Sequence, residues 1–426
     1  MQVVAFLLGT FLILLLMGMP FALAMGGSAF LYILFFMNIS PLMVVQQMYQ
    51  GVNSFTLLAL PLFIMAGALM EYGGISKRLV KFCMALVGHL PSGLAIVVVV
   101  ASSIFAAMTG SAVATTAAIG AIMIPEMYAR GYDKDFACAL QGTAGIVGPL
   151  IPPSIAMVVY AVNTNQSVGE MLLAGAGPGL LMSLGIVLIA SYICKKNGYT
   201  GSTVFSWKEV GVTFLDAIWA LLSPIIILGG IYSGVFTPTE AAGVSCFYSL
   251  IIGVFIYREL KFAEMIRALG RAIKSTGNIM LIVASSYAFA FVLSRERVAT
   301  DVATWMLSLT SSKYVFTLFV IVIMLIAGCF IDAVPTIMIL APLFAAMAQA
   351  YGMSLVHLGG FMVTATSIGQ ITPPFGLNLF MGAQVGNRPL HTVMPKIVPF
   401  IITAVVVLLI VAYVPGISLL FPSLLR

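Results

Sequence analysis

Apolar residues run through this chain in long blocks, not in the alternating or one-faced patterns of a soluble fold. A bilayer crossing needs about 20 apolar residues. Blocks of that order fall at 3–18, 20–37, 55–70, 135–163, 168–194, 209–235, 238–257, 275–293, 355–385 and 391–413. Gly18-Met19-Pro20 parts the first two, with one long tilted helix over 3–37 as the alternative. Two other stretches, 93–130 and 313–350, are too long for a single crossing. Each carries small or polar residues at its middle: Thr109-Gly110-Ser111 in one, Gly328 and Asp332-Ala333-Val334-Pro335 in the other. Both are expected to be re-entrant hairpins, which are tolerated only where protein or a water-filled cavity surrounds the tip.

The blocks also repeat. Thr143, Ala144, Gly148, Pro152, Pro153 and Pro178 recur 221 residues later as Thr364, Ala365, Gly369, Pro373, Pro374 and Pro399. Each copy follows a hairpin candidate, so the chain divides into repeats at 1–200 and 201–426. The expected fold is an all-α polytopic membrane protein with inverted structural repeats, two re-entrant hairpins and two broken helices, about 135–163 and 355–385. Paired, Gly/Pro-interrupted spans in inverted halves point to a secondary transporter with a midplane site.

Composition agrees with a lipid environment: hydrophobic residues make up 62% of the 426 and charged residues 8%, against about 45–50% and about 25% in soluble domains. Net charge is +6, but Lys and Arg lie in short stretches between the apolar blocks, so nucleic acid is not an expected partner. With 195–208 placed in the cytoplasm, ten crossings and two hairpins put fourteen Lys and Arg inside. Only Arg295, Arg297, Lys313 and Arg426 fall outside, a positive-inside bias that makes both termini periplasmic. The five cysteines stand singly, the three histidines have no partner pattern, and no phosphate-binding loop is present. Neither a transition-metal site nor ATP hydrolysis within the chain is indicated, and no cofactor is expected. The apolar N-terminus lacks a charged start and is not expected to be a cleaved signal.

The interruptions carry the candidate chemistry. Pro153 and Pro374 lack an N–H and clash with the preceding turn, so the helix must unwind around GPLIPP and GQITPP. Freed carbonyls suit a cation such as Na⁺, and half-helix N-termini suit an anion. Ser102, Ser103, Thr109, Gly110 and Ser111 are expected to face Gly145 to Pro149, including Val147 and Gly148. Asp332 and Thr336, with Gly328, are expected to face Thr366 to Thr372, including Gly369. Asp332 is the only formal charge between Lys313 and Arg388. A carboxylate at mid-membrane costs roughly 2.5–3.5 kcal/mol, so it needs a partner or a wet cavity, although capping the second limb is an ordinary alternative. Arg295 reads either as an interfacial snorkelling side chain beside Glu296 or as a fork for a solute carboxylate. Glu240, after Thr237-Pro238-Thr239, reads as a first-turn carboxylate at a helix start, and Asp216 is expected to pair locally.

Together these residues resemble a known family. Leu62-Phe63-Ile64-Met65-Ala66-Gly67, Gly73-Gly74-Ile75, Gly110-Ser111, Gly131-Tyr132, Gly148-Pro149-Leu150-Ile151-Pro152-Pro153-Ser154, Phe236-Thr237-Pro238-Thr239-Glu240-Ala241-Ala242 and Pro373-Pro374-Phe375-Gly376 resemble the large membrane subunit of tripartite ATP-independent periplasmic (TRAP) transporters. The likeness runs in order from about residue 55 to about 400. It departs at Pro91-Ser92-Gly93, where a basic residue and two glycines are expected. The resemblance implies an elevator-type, Na⁺-coupled importer of an organic acid, of the sialic acid or C4-dicarboxylate class, in the bacterial inner membrane. It implies a small four-helix membrane subunit as a separate chain, and a periplasmic solute-binding protein. By motif it places ions at Ser103, Gly110, Ser111, Gly145, Gly148, Asp332, Thr336, Thr366 and Gly369. The small anionic solute is expected near Ser111, Pro152, Pro153, Gln370, Pro373, Pro374 and Asn378, with Arg295. The alternatives are a carboxylate carrier that works without a binding protein, a channel and, remotely, an intramembrane enzyme using Asp332.

Overall fold

A computed structural model describes residues 2–199 and 205–424, and all regular elements among them are helical. Arg426 and the expected boundary between residues 200 and 201 lie outside the described residues. Nine helices among those described are long and apolar enough to cross a membrane.

Pro20 ends the ambiguity at the start: α1 (Gln2–Leu16) and α2 (Phe21–Phe36) are two helices packed on each other. The short amphipathic α3 (Leu42–Val52) follows, then α4 (Ala59–Tyr72) and α5 (Ile75–Val87). The apolar blocks missed α3 and α5 because each has a polar face, as Lys77, Arg78 and Lys81 show on α5.

The first long stretch folds as α6 (Gly93–Thr109) and α7 (Ala112–Ala129), packed together and joined at Gly110-Ser111. The next block is interrupted: α8 (Lys134–Gly145) stops and α9 (Ile155–Asn163) starts ten residues later. Then come α10 (Val168–Lys196), α11 (Trp207–Tyr232) and α12 (Pro238–Ile251), the last continued by a π-helical turn to Ile256. Thr237 and Glu240 form a capping box that opens α12, so Glu240 is a structural carboxylate.

One element is much longer than its apolar block. The block 275–293 belongs to α13 (Phe262–Arg295), whose first turns carry Glu264, Arg267, Arg271 and Lys274. Charged helix is invisible to a search for apolar runs. After α14 (Val298–Leu309), the second long stretch folds as α15 (Lys313–Phe330) and α16 (Ala333–Ala350). The second interruption separates α17 (Leu355–Gly369) from α18 (Leu377–Val385), and α19 (Leu390–Tyr413) and α20 (Pro415–Ser423) complete the chain. Shifted by 221 residues, α7 (112–129) coincides with α16 (333–350), and the start of α8 (134) with that of α17 (355).

The main core lies among the hairpins, the interrupted helices, α10 and α19; Phe105, Tyr160, Phe316, Phe361 and Phe400 are fully buried there. A second core joins α1 and α2 to α13 through Leu7, Met25, Ile33 and Phe289. The interrupted helices cross-link within the main body. The Tyr160 hydroxyl donates to the Leu355 carbonyl at 2.7 Å, and the Asn163 amide to that of Met338 at 3.1 Å. Arg388 grips Asp135 with two nitrogens, at 2.7 and 3.1 Å.

Asp216 does not pair locally. Its partner is Arg78, 3.2 Å away on α5, whose guanidinium also meets Glu259 at 2.6 Å and lies 3.9 Å from the centre of the Tyr257 ring. Three long-range contacts converge on one side chain that is only 17% exposed. Arg78→Ala is therefore expected to cost about 1–3 kcal/mol, seen as a lower unfolding midpoint in detergent. An unchanged midpoint would reduce the cluster to decoration.

Candidate functional site: a cavity between two hairpin tips

Each interruption is a place where backbone approaches backbone. Pro149, Pro152 and Pro153 supply no N–H, so α8 cannot continue past Gly145, and single turns such as Gly148 N–H to the Gly145 carbonyl (2.9 Å) take over. Ser154 restarts the helix by accepting from Met157 N–H at 3.2 Å, while its hydroxyl donates to the Pro149 carbonyl. The first hairpin tip sits on this stretch. Gly110 turns the chain with φ +62°, Ser111 caps α7 by accepting from Ala114 N–H at 3.4 Å, and Thr109 meets the Thr115 hydroxyl at 3.2 Å. A Cβ on Gly148 would lie 2.6 Å from the Ser111 carbonyl carbon, and one on Gly110 3.0 Å from Ile155 N. Only glycine lets these backbones meet.

The second pair repeats the arrangement with different side chains. A Cβ on Gly369 would lie 2.6 Å from Gly328 Cα, and one on Gly328 2.7 Å from the Thr366 carbonyl oxygen. At the tip, Asp332 Oδ1 accepts from Ala333 N–H at 2.7 Å and from Gln370 Nε2 at 2.8 Å. The Thr336 hydroxyl donates to the Asp332 carbonyl at 2.9 Å. Asp332 is thus both a helix cap and the link from hairpin to interruption. The Thr366 and Thr372 hydroxyls donate back to their own helix, to Met362 and Ile368. The two Pro-Pro bonds are both cis. Pro152 and Pro153 are buried, whereas Pro374 and Phe375 are exposed.

Not every expected residue joins the tips. Ser102 is buried and accepts from Gln141 Nε2 at 3.4 Å, and Val147 and Pro149 are buried. Ser103 turns the other way, donating to the Val99 carbonyl and meeting Ser183 of α10 at 2.9 Å. Asn378 is fully buried and donates to the Gly142 carbonyl at 2.5 Å, tying α18 to α8.

A cavity of about 350 Å³ unites the two tips. Thr109 and Ser111 enter from the first, Asp332, Val334 and Pro335 from the second. The facing wall comes from α4 (Ile64, Gly67, Ala68, Glu71) and α13 (Arg271, Ser275, Asn278, Ile282). Of the residues expected near the solute, only Ser111 is in its lining; Pro152, Pro153, Gln370 and Asn378 are buried outside it, Pro373 is half-buried and Pro374 exposed. Arg295 ends α13, thirteen residues beyond Ile282, or about 20 Å along the helix. The sequence reading passed over Arg271, Ser275 and Asn278. Their spacing, i, i+4 and i+7, marks one helix face, but Arg271 precedes the apolar block 275–293 and so falls outside any helix read from apolar runs.

Over residues 8–417 the chain matches the family described as the tripartite ATP-independent periplasmic transporter, DctM component. It is 40% identical over 400 residues to the C4-dicarboxylate TRAP transporter large permease protein DctM of Pseudomonas aeruginosa, covering 94% of each chain. It is 37% identical over 413 residues to the sialic acid TRAP transporter large permease protein SiaM of Vibrio cholerae, covering 96% of each. Among solved structures, the YdaH transporter of Alcanivorax borkumensis shares the fold, with a TM-score of 0.63 over 90% of this chain and 88% of that one, at 16% identity. An all-helical, multi-pass chain with this family match along nearly its whole length belongs to the large permease proteins of TRAP transporters.

Proposed function

We propose that this chain is the solute-translocating subunit of a Na⁺-driven importer of a carboxylated solute. It works in the bacterial inner membrane, termini outward, with a small four-helix subunit and a periplasmic binding protein. The observation behind this reading is the shared cavity, in which Ser111 of one hairpin and Asp332 of the other face a single space. In this reading 1–200 and 201–426 are oppositely oriented halves, and each hairpin with its interrupted helix is one ion-holding unit.

Several features support ion holding. Near the first unit, Gln141 Oε1, Asn378 Oδ1 and Thr116 Oγ1 are buried oxygens without a donor, as is Gln370 Oε1 near the second. Such free acceptors are what a desolvated cation needs. The cavity wall divides between the hairpins and the α4–α13 pair, which suits an elevator: one body carries the site past a fixed one. The two relatives above are named for C4-dicarboxylates and sialic acid, both carboxylates.

Charge sets the stoichiometry. Each negative charge imported against an inside-negative potential costs about 2.3 kcal/mol per 100 mV. A monoanion then needs at least two Na⁺ for the potential to assist uptake, and two units supply two places. The test is uptake of labelled N-acetylneuraminate and succinate by the complete transporter in proteoliposomes. Expected is a sigmoidal Na⁺ dependence for both, with an inside-negative potential accelerating uptake of the monoanion N-acetylneuraminate, since two Na⁺ only balance the two charges of succinate. Electroneutral uptake of N-acetylneuraminate with a hyperbolic Na⁺ dependence would overturn the stoichiometry, and indifference to Na⁺ the coupling itself.

A further inference from the structure

We propose that Arg271, with Ser275 and Asn278 one and two turns along the same face of α13, forms an anion-receiving station, and that Glu71 is the counter-ion which a solute carboxylate displaces there. This rests on reading the cavity as the solute's. Among the described residues Arg271 is the only cation on the cavity wall, and it stands opposite the hairpin tips, on the α4–α13 side. Its Nη1 meets Glu71 Oε1 at 2.5 Å, bridging α13 to α4 across 200 residues of sequence. The arginine side chain is 41% exposed and the glutamate 20%, so the guanidinium is reachable while still paired.

The chemistry is an exchange of carboxylates. A guanidinium presents a planar fork that fits a carboxylate at two oxygens, and the contact to Glu71 uses one of its nitrogens. Replacing one carboxylate by another keeps the guanidinium paired, so the costly lone cation never arises, and the displaced Glu71 also borders a second cavity lined by Lys77, Arg258 and Lys261, toward which it can turn. Ser275 and Asn278 border the same space and supply a hydroxyl and an amide for a solute's remaining polar groups. By the charge bias along the chain, this end of α13 faces the cytoplasm. An anion leaving Ser111 for the cytoplasm therefore passes Arg271. Glu71 competes for the guanidinium there, which keeps the station weak enough to let the solute go.

The test is residue-by-residue labelling of arginine with phenylglyoxal, read by mass spectrometry on the chain purified with its small subunit. Glu71→Gln is expected to speed labelling of Arg271, and to tighten protection by an anion on the order of tenfold, the scale of one charge-assisted contact. Succinate or N-acetylneuraminate is expected to slow labelling of Arg271, and neutral N-acetylmannosamine to leave it unchanged. If neither anion protects Arg271, in the parent chain or in Glu71→Gln, there is no station. Uptake of the same two anions by the parent transporter separates the two ideas. Uptake without protection removes the station and leaves the transport reading. Protection without uptake keeps an anion site and removes that reading.

Discussion

Asp332→Asn is expected to reduce Na⁺-dependent uptake to the background of empty vesicles while the chain still folds and joins its small subunit. Asparagine keeps the length of the side chain and an oxygen able to accept from Ala333 N–H and Gln370, the two contacts that Asp332 Oδ1 makes. It removes only the charge. A carboxylate at membrane depth costs roughly 2.5–3.5 kcal/mol, so a residue serving only as a cap gains from this substitution. The capping and ion-holding roles therefore make opposite predictions. Normal Na⁺-dependent uptake with a raised unfolding midpoint would leave Asp332 as a cap. Lost uptake with a normal midpoint would leave the charge as the working part.

The second large effect is steric. Gly369→Ala puts a Cβ 2.6 Å from Gly328 Cα and 2.9 Å from Cys329 N, and both of these neighbours are backbone. Backbone cannot rotate away as a side-chain end can, so hairpin and interruption must part. Overpacking of this kind typically costs about 1–3 kcal/mol. The larger consequence falls on uptake, because the link from Asp332 to Gln370 spans the same seam. Uptake is expected to fall by an order of magnitude or more. Gly211→Ala, at a helical position with nothing within 4 Å, is the control and should leave uptake unchanged. Equal behaviour of the two variants would show that the seam is not closed during transport.

Much of the architecture was legible because the bilayer imposes its own arithmetic on sequence. Gly110-Ser111 and Asp332-Ala333 were readable as hairpin tips from polar residues stranded in apolar stretches, and Pro152-Pro153 and Pro373-Pro374 as breaks from their missing donors. Less legible were elements whose surface is not lipid. The amphipathic α5 and the first turns of α13 look like loops to a hydropathy reading, yet they hold the Arg78 cluster and one wall of the cavity. The direction of a side chain was also hidden. Ser103 and Ser102 are neighbours in sequence, but a helix turns about 100° per residue. One reaches Gln141 and the other Ser183. From sequence Arg295 reads as an interfacial side chain or a carboxylate fork, whereas the arginine that reaches the cavity sits 24 residues earlier on the same helix.

That shared helix has a mechanical meaning. From Arg271 to Arg295, α13 is uninterrupted, a rod of roughly 36 Å. Pivoting such a rod by about 10° about its middle swings each extremity through about 3 Å, about the length of a hydrogen bond. Any body that leans on the Arg295 end of this lever thereby gains leverage over the guanidinium at the Arg271 end, with no hinge or relay of side chains between them.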